Sequence, residues 1–394
     1  MRQKVLGMRL DRISDLRCPR SIEKNAHISL CGGMLSVSEE AVPVLFNRND
    51  KNDALEAVLK CDRCSELYPI IRGVLILPPD MEGYIRDNYS HICRAIVENA
   101  IPDQSIPPQM IEFLIERGGR DARPSAPDFW DQNLPSVLSR YVQAHYGNMT
   151  ELLEMSPSAW PDFVRAYKDS GSELYEVLIS MARDAASGIQ GLFAGMAIDV
   201  GCSVGRLAYE LAPSFRSVYG IDLCFSAVLS ARRIIRRSPI PQTTYSLVTD
   251  AGMWSDPIPV QVDERSNIEF LVASATALPL ETGSVDCLAT VNLIDVLPQP
   301  EELFKEAARV LGEQQFLLMA DPYCWKDAGE EQAKKQKSSS NYVSKSLSEH
   351  GFTISQRKNS IPWLLRLHDR RWDIYLCDCF GAVKTTDNRK SGKI

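Results

Sequence analysis

Two aspartates and two glycines carry the clearest chemistry in this chain. Asp199, Gly201 and Gly205 form Asp-x-Gly-x-x-x-Gly, beginning inside the apolar run Ala197–Val200, and Asp222 closes a second strand-like run, Ser217–Ile221. The glycines remove Cβ atoms that would hold a ligand off the backbone. Between them, Cys202 and Ser203 present N–H groups beside the positive start of a helix. A carboxylate at 199 repels a pyrophosphate but attracts an ammonium group, and the Gly-x-Gly-x-x-Gly phosphate cradle is missing. An acid at the end of a second strand accepts hydrogen bonds from ribose hydroxyls, with Leu223 next to it. The expected ligand has a ribose and a cationic tail but no phosphate.

S-adenosylmethionine has those features. From roughly Gly191 to Pro322 the chain resembles the class I S-adenosylmethionine-dependent methyltransferases. Phe270–Leu280 looks like the family's third-strand segment beside the adenine, and Ser284–Leu297 like the fourth strand and its loop. Glu301–Leu311 reads as an amphipathic helix and Gln315–Ala320 as the fifth strand. The resemblance implies a Rossmann-like, doubly wound, mostly parallel seven-stranded sheet. It also assigns roles. Asp199 and the Gly201–Gly205 loop hold the methionine tail, Asp222 the ribose, and Ser274 and Ala275 border the adenine. Asn292 to Asp295 lie beneath the methyl donor, with Asp295 orienting or deprotonating an acceptor. The chain departs from the family at Ser274, where an acid usually binds the adenine amino group; a hydroxyl accepts that bond more weakly.

A second constellation lies near the start. Cys61-Asp-Arg-Cys64 has the spacing of a zinc knuckle, and Leu67–Leu77 follows as two short strands around a turn. This segment resembles the Trm112-like zinc ribbons that often precede bacterial methyltransferase domains. Their first knuckle is broken here, reading Cys18-Pro-Arg-Ser21, so Cys31, ahead of His27, is expected to complete a site with Cys18, Cys61 and Cys64. The alternative is a ribbon that has lost its metal. A unit this small buries little core and relies on metal or docking.

At 394 residues the chain is too long for one methyltransferase domain. The expected division is a zinc ribbon over 1–80, a helical cap over 81–190, the methyltransferase domain over 191–383 and a disordered tail over 384–394. Helical spacing covers Asp87–Ala100, Gln109–Arg117 and Glu173–Ala182. The cap contains Tyr141–Gly147, where His145 has the ordinary pKa of a proton acceptor and Tyr146 is a candidate pocket contact. A packing role is the plainer reading of both, and of Trp130 and Trp160. Gly329–Asn341 reads as a polar loop, a lid or a linker. A short strand is expected at Thr353–Ser355, and a closing one at Arg371–Cys377.

Forty-four basic residues face fifty-one acidic ones, a net charge of −7, and the basic clusters are short. That argues against a nucleic-acid partner. No run approaches a membrane span or a signal peptide, so a cytoplasmic protein is expected, and its eleven cysteines point to metal ligands or buried thiols. Oligomeric state leaves no mark in the sequence. The leading expectation is methyl transfer to a small molecule, as in specialised metabolism, or to a peptide. The alternatives are an RNA or protein methyltransferase that uses the ribbon for recognition, and a non-catalytic cofactor-binding subunit.

Overall fold

A computed structural model describes residues 7–24, 27–47, 50–98, 105–118, 135–148, 151–153, 162, 174–186, 195–235, 243–325 and 328–385. Trp130, Trp160 and the tail beyond Thr385 lie outside them.

The N-terminal unit contains β1 (Met8–Arg9), β2 (Ser21–Lys24), β3 (His27–Leu30), β4 (Leu35–Val37), β5 (Leu45–Asn47), β6 (Asp50–Cys61), β7 (Leu67–Ile71) and β8 (Val74–Ile76). Helices α1 (Met81–Glu98), α2 (Pro108–Gly118), α3 (Pro135–Tyr146) and α4 (Leu174–Ala186) follow. The second half runs β9 (Met196–Val200), α5 (Arg206–Leu211), β10 (Ser217–Asp222), α6 (Phe225–Ile235), β11 (Thr244–Tyr245), β12 (Ile258–Pro259), β13 (Ile268–Val272) and β14 (Val285–Val291). It ends with α7 (Pro300–Val310), β15 (Leu311–Asp321), α8 (Ala328–Lys335), α9 (Ser339–Glu349), β16 (Phe352–His368) and β17 (Arg371–Lys384).

Strands β13, β10, β9, β14, β15, β17 and β16 lie side by side in that order. This is a doubly wound, Rossmann-like sheet, as the resemblance implies. The first five run parallel, and β17 enters antiparallel between β15 and β16. β9 and β13 are buried at every position, as strands covered on both faces must be. Chain order reverses between β9 and β14, which opens a crevice at their carboxyl ends.

The ribbon does not stand apart. Strand β8 pairs in parallel with β13, Leu75 opposite Leu271 and Ile76 opposite Val272, and Leu77 N–H donates to the Val272 carbonyl at 2.7 Å. The ribbon strands β7, β6 and β1 continue outward from β8, and β4 and β5 also pair with β6, so among the described residues one sheet holds thirteen strands. An edge strand's unpaired N–H and C=O groups are the reason: β13 would otherwise be open. A buried ion pair locks the junction. Arg232 on α6 meets Glu269 at 2.7 Å, with both side chains 3% exposed, and donates to the Gly7 carbonyl at 2.5 Å. Arg232→Ala strands a buried carboxylate and is expected to cost about 3–5 kcal/mol in urea unfolding. An unchanged midpoint would show that the pair is dispensable.

Two sequence expectations change. The polar stretch 329–341 is not a loop but α8 and the start of α9. Lys334 pairs with Glu330 one turn back at 2.6 Å, and Ser338 Oγ caps α9 by accepting from Asn341 N–H. The strand expected at 353–355 is the beginning of a seventeen-residue strand. It forms a long hairpin with the fourteen-residue β17, with register shifts that let it bend.

Candidate functional site

The loop after β9 is built by close packing. Gly201 and Gly205 have φ of +77° and +87°, and the N–H groups of Gly201 and Cys202 both donate to the Ile221 carbonyl, at 2.8 and 3.0 Å. A Cβ at Gly205 would lie 2.7 Å from the Phe270 ring, and one at Gly220 would also strike that ring. Phe270 therefore sets how closely the loop lies over β10 and β13. Gly205 starts α5 and does not line the crevice; its part is this packing.

Above the loop lies a cavity of about 520 Å³. Asp199, Gly201, Cys202, Ser203, Asp222, Leu223, Ser274, Ala275, Asn292 and Asp295 all border it, so elements far apart in sequence converge there. Asp199 is 2% exposed, and its Oδ2 accepts from Ala208 N–H at 2.9 Å, so it caps α5 as well as facing the cavity. Its pKa is pushed up to about 7, chiefly by burial, against the pull of that N–H and with a push from Asp222. Asp222 accepts from Ser203 N–H at 2.9 Å and from Cys224 N–H at 2.8 Å, so it ties the loop to β10. Burial raises its pKa too.

Ser203 and Asn292 hold φ of +47° and +51°, a conformation that costs a non-glycine residue and gathers at functional sites. Ser274 Oγ lies 2.9 Å from the Thr276 hydroxyl. The strand of chain after it is pinned by α7: Leu278 N–H donates to Glu306 at 2.6 Å, and Arg309 donates to the carbonyls of Leu278 and Leu280. From the other side, Arg17 N–H donates to the Pro279 carbonyl at 2.9 Å and Leu16 bridges to Leu280.

Asp295 is 4% exposed, and its Oδ2 accepts from Cys324 N–H at 2.9 Å. Behind it, Asp321 accepts from the N–H groups of Ile294 and Tyr323, which sets the turn that carries Asp295. Burial, and then the Asp295 charge, push the Asp321 carboxyl well up.

His145 borders the cavity with its Nδ1 3.3 Å from the Tyr175 hydroxyl. Burial first, and the Arg206 charge second, hold its pKa to about 3, so the ring is neutral and a weak base at neutral pH. Tyr146, expected at the pocket, turns instead toward the loop and donates to the Val204 carbonyl at 2.9 Å. It is not among the residues lining the cavity. Among the lining residues that sequence reasoning did not assign to the pocket are Thr276, Tyr141, Tyr175, Trp363 and Tyr375. Trp363 and Tyr375 come from the β16–β17 hairpin and carry no local motif that could have marked them.

The four cysteines form a separate centre. The Sγ atoms of Cys18, Cys31, Cys61 and Cys64 all lie within 4.8 Å of one another, with Cys18–Cys64 at 3.6 Å and Cys31–Cys61 at 3.7 Å. A tetrahedron of Zn–S bonds of about 2.3 Å has edges of about 3.8 Å, so the four thiols fit zinc. Cys31 takes the place left by Ser21, which is exposed on β2. A Cβ on Gly33 would run into Cys61 Sγ, so only glycine lets the chain between β3 and β4 pass.

Residues 198–319 match the family model described as a methyltransferase domain. A protein of transposon TN4556 from Streptomyces fradiae, described as an uncharacterized 37.1 kDa protein, is 29% identical over 130 residues. That match covers 32% of this chain and 30% of that protein's length. Among solved structures, a putative methyltransferase from Bacillus halodurans is 16% identical with a TM-score of 0.35, over 53% of this chain and 99% of that one. Magnesium protoporphyrin IX methyltransferase from Synechocystis, with bound S-adenosylmethionine, is 13% identical with a TM-score of 0.36, over 67% and 100%. At such identities these likenesses say nothing about the reaction. Among the described residues no helix is long and apolar enough to cross a membrane.

Proposed function

Starting from a chain whose residues 198–319 are a methyltransferase domain, we propose that this protein binds S-adenosylmethionine in the crevice and transfers its methyl group to a small molecule. The observation that carries this is Asp199: a nearly buried carboxylate at the wall of a cavity, beside a glycine loop and with a pKa raised by burial, is suited to a cationic ligand. The donor set fits the cofactor's other parts. Asp222 sits at the end of β10 with its loop already anchored, and Ser274 with Thr276 offers two hydroxyls at the far end.

When bound, the cofactor would supply an electrophilic methyl group to the acceptor's lone pair, with its sulfur as the leaving group. The chain's work is alignment and exclusion of water. Asp199 would hold the cofactor's ammonium, and Asp222 would orient its ribose hydroxyls. Asn292 and Leu293 form the floor, the latter pressed against Gly201, where a Cβ would lie 3.0 Å from its side chain. Asp295, steadied by Cys324 N–H, takes the proton the acceptor releases. His145 is given no proton to move and serves as wall. The ribbon closes the β13 edge and braces residues 279–280, with zinc on its four cysteines as a structural ion.

Titration calorimetry with S-adenosylmethionine tests this, with an expected Kd of about 10 µM, within the span common for enzyme substrates. A silent titration at about 1 mM ligand overturns the reading.

A further inference from the structure

Beyond the residues assigned to the cofactor, the cavity has a wall of different chemistry. It is walled by rings: Tyr141 from α3, Tyr175 from α4, and Trp363 and Tyr375 from the β16–β17 hairpin. His145 lies between the first two, its centroid 6.3 Å from Tyr141 and 5.8 Å from Tyr175, while Trp363 and Tyr375 are 5.5 Å apart at 49°. Both clusters border the same cavity, so together they form its aromatic wall.

Charge is equally one-sided. The carboxylates on the cavity are Asp199, Asp222 and Asp295, and among the described residues no lysine or arginine lines it. The Arg206 guanidinium behind Tyr175 is held by Glu210 at 2.7 Å and by the His145 carbonyl. His145 adds no positive charge, its ring being neutral.

We infer that the acceptor is an aromatic molecule without negative charge, a phenol or arylamine, seated on Tyr141, Tyr175, Trp363 and Tyr375 with its nucleophile toward Asp295. This rests on the methyltransferase reading and names its substrate class. Ring faces and edges of the wall suit a flat aromatic partner better than an aliphatic one. A carboxylate or phosphate would give up its water with no cation to meet it, beside three acids. The proton lost by a phenol or arylamine on methylation has a carboxylate to receive it.

The test uses the full chain saturated with S-adenosylhomocysteine and two matched probes, 2-naphthol and 2-naphthoate, followed by calorimetry. 2-Naphthol is expected to bind at least about tenfold tighter than 2-naphthoate. Trp363→Ala is expected to weaken 2-naphthol by about tenfold while leaving S-adenosylhomocysteine affinity unchanged. Should that variant fold poorly, Leu365→Lys, on β16 beside Trp363 and also lining the cavity, places a cation there and is expected to reverse the preference toward 2-naphthoate. Equal or tighter binding of 2-naphthoate by the unaltered protein overturns the inference. So does absence of 2-naphthol binding while S-adenosylhomocysteine still binds. Failure of S-adenosylhomocysteine itself to bind overturns the parent reading, and this one with it.

Discussion

Asp199→Asn is expected to weaken S-adenosylmethionine binding by about a hundredfold, because truncating one partner of a buried charge pair costs roughly 2–5 kcal/mol. Asparagine keeps an oxygen for Ala208 N–H and so preserves the cap on α5 while removing the charge. The pH dependence makes this specific. In the free protein Asp199 has a pKa of about 7 against an ordinary 3.8, and only its ionised form attracts an ammonium. Cofactor affinity should therefore fall by up to about tenfold per pH unit below about 7 and level off above it.

The stability effect has the opposite sign. A carboxyl whose folded pKa is raised binds more protons folded than unfolded, so its contribution to stability falls as pH rises from about 4 to about 7. Calorimetry and urea unfolding across that range, on both proteins, measure the two slopes. If the unaltered protein binds the cofactor equally well at pH 5.5 and 8, Asp199 does not hold the ammonium.

Removing the metal is expected to have the second large effect. Structural zinc contributes about 10–16 kcal/mol to folding in small zinc modules, so a chelator or Cys61→Ser should lower Tm by at least about 10 °C. The loss should also reach the cofactor. The ribbon supplies β8 to the edge of β13, and the residues before Cys18 brace Pro279 and Leu280, five and six positions past Ser274. Metal-free protein should thus bind S-adenosylmethionine more weakly as well as melt earlier. Gly33→Ala, which pushes a methyl into Cys61 Sγ, should reproduce the effect in part. A protein isolated with no zinc, whose melting is indifferent to chelator, would mean that the cysteines hold each other without an ion.

What could be read in advance follows how locally each feature is written. The loop Asp199–Gly205 is a strand end, a turn and a helix start in succession, so its chemistry stands in consecutive letters, and Asp222 follows one helix later. The same holds for β7 and β8, and for Cys61 and Cys64. Gly205 and Gly220 were less transparent, because the reason for both is the Phe270 ring, which reaches them only once β13 lies beside β10. The stretch 329–341 reads as a loop because α8 is held by a salt bridge and the start of α9 by a cap, while the buried apolar positions of α9, Tyr342, Val343 and Leu347, lie beyond it.

Read alone, the sequence establishes the parallel sheet, the acids that face its crevice and the four thiols of the ribbon's cluster, since strand periodicity, glycine turns and paired cysteines are short-range patterns. Only the folded chain shows that the ribbon joins the sheet at β13 and that an aromatic wall borders the same cavity as the aspartates. Those outcomes depend on groups brought together from distant parts of the chain, where an open strand edge and an apolar cavity are each completed by whatever the fold delivers to them.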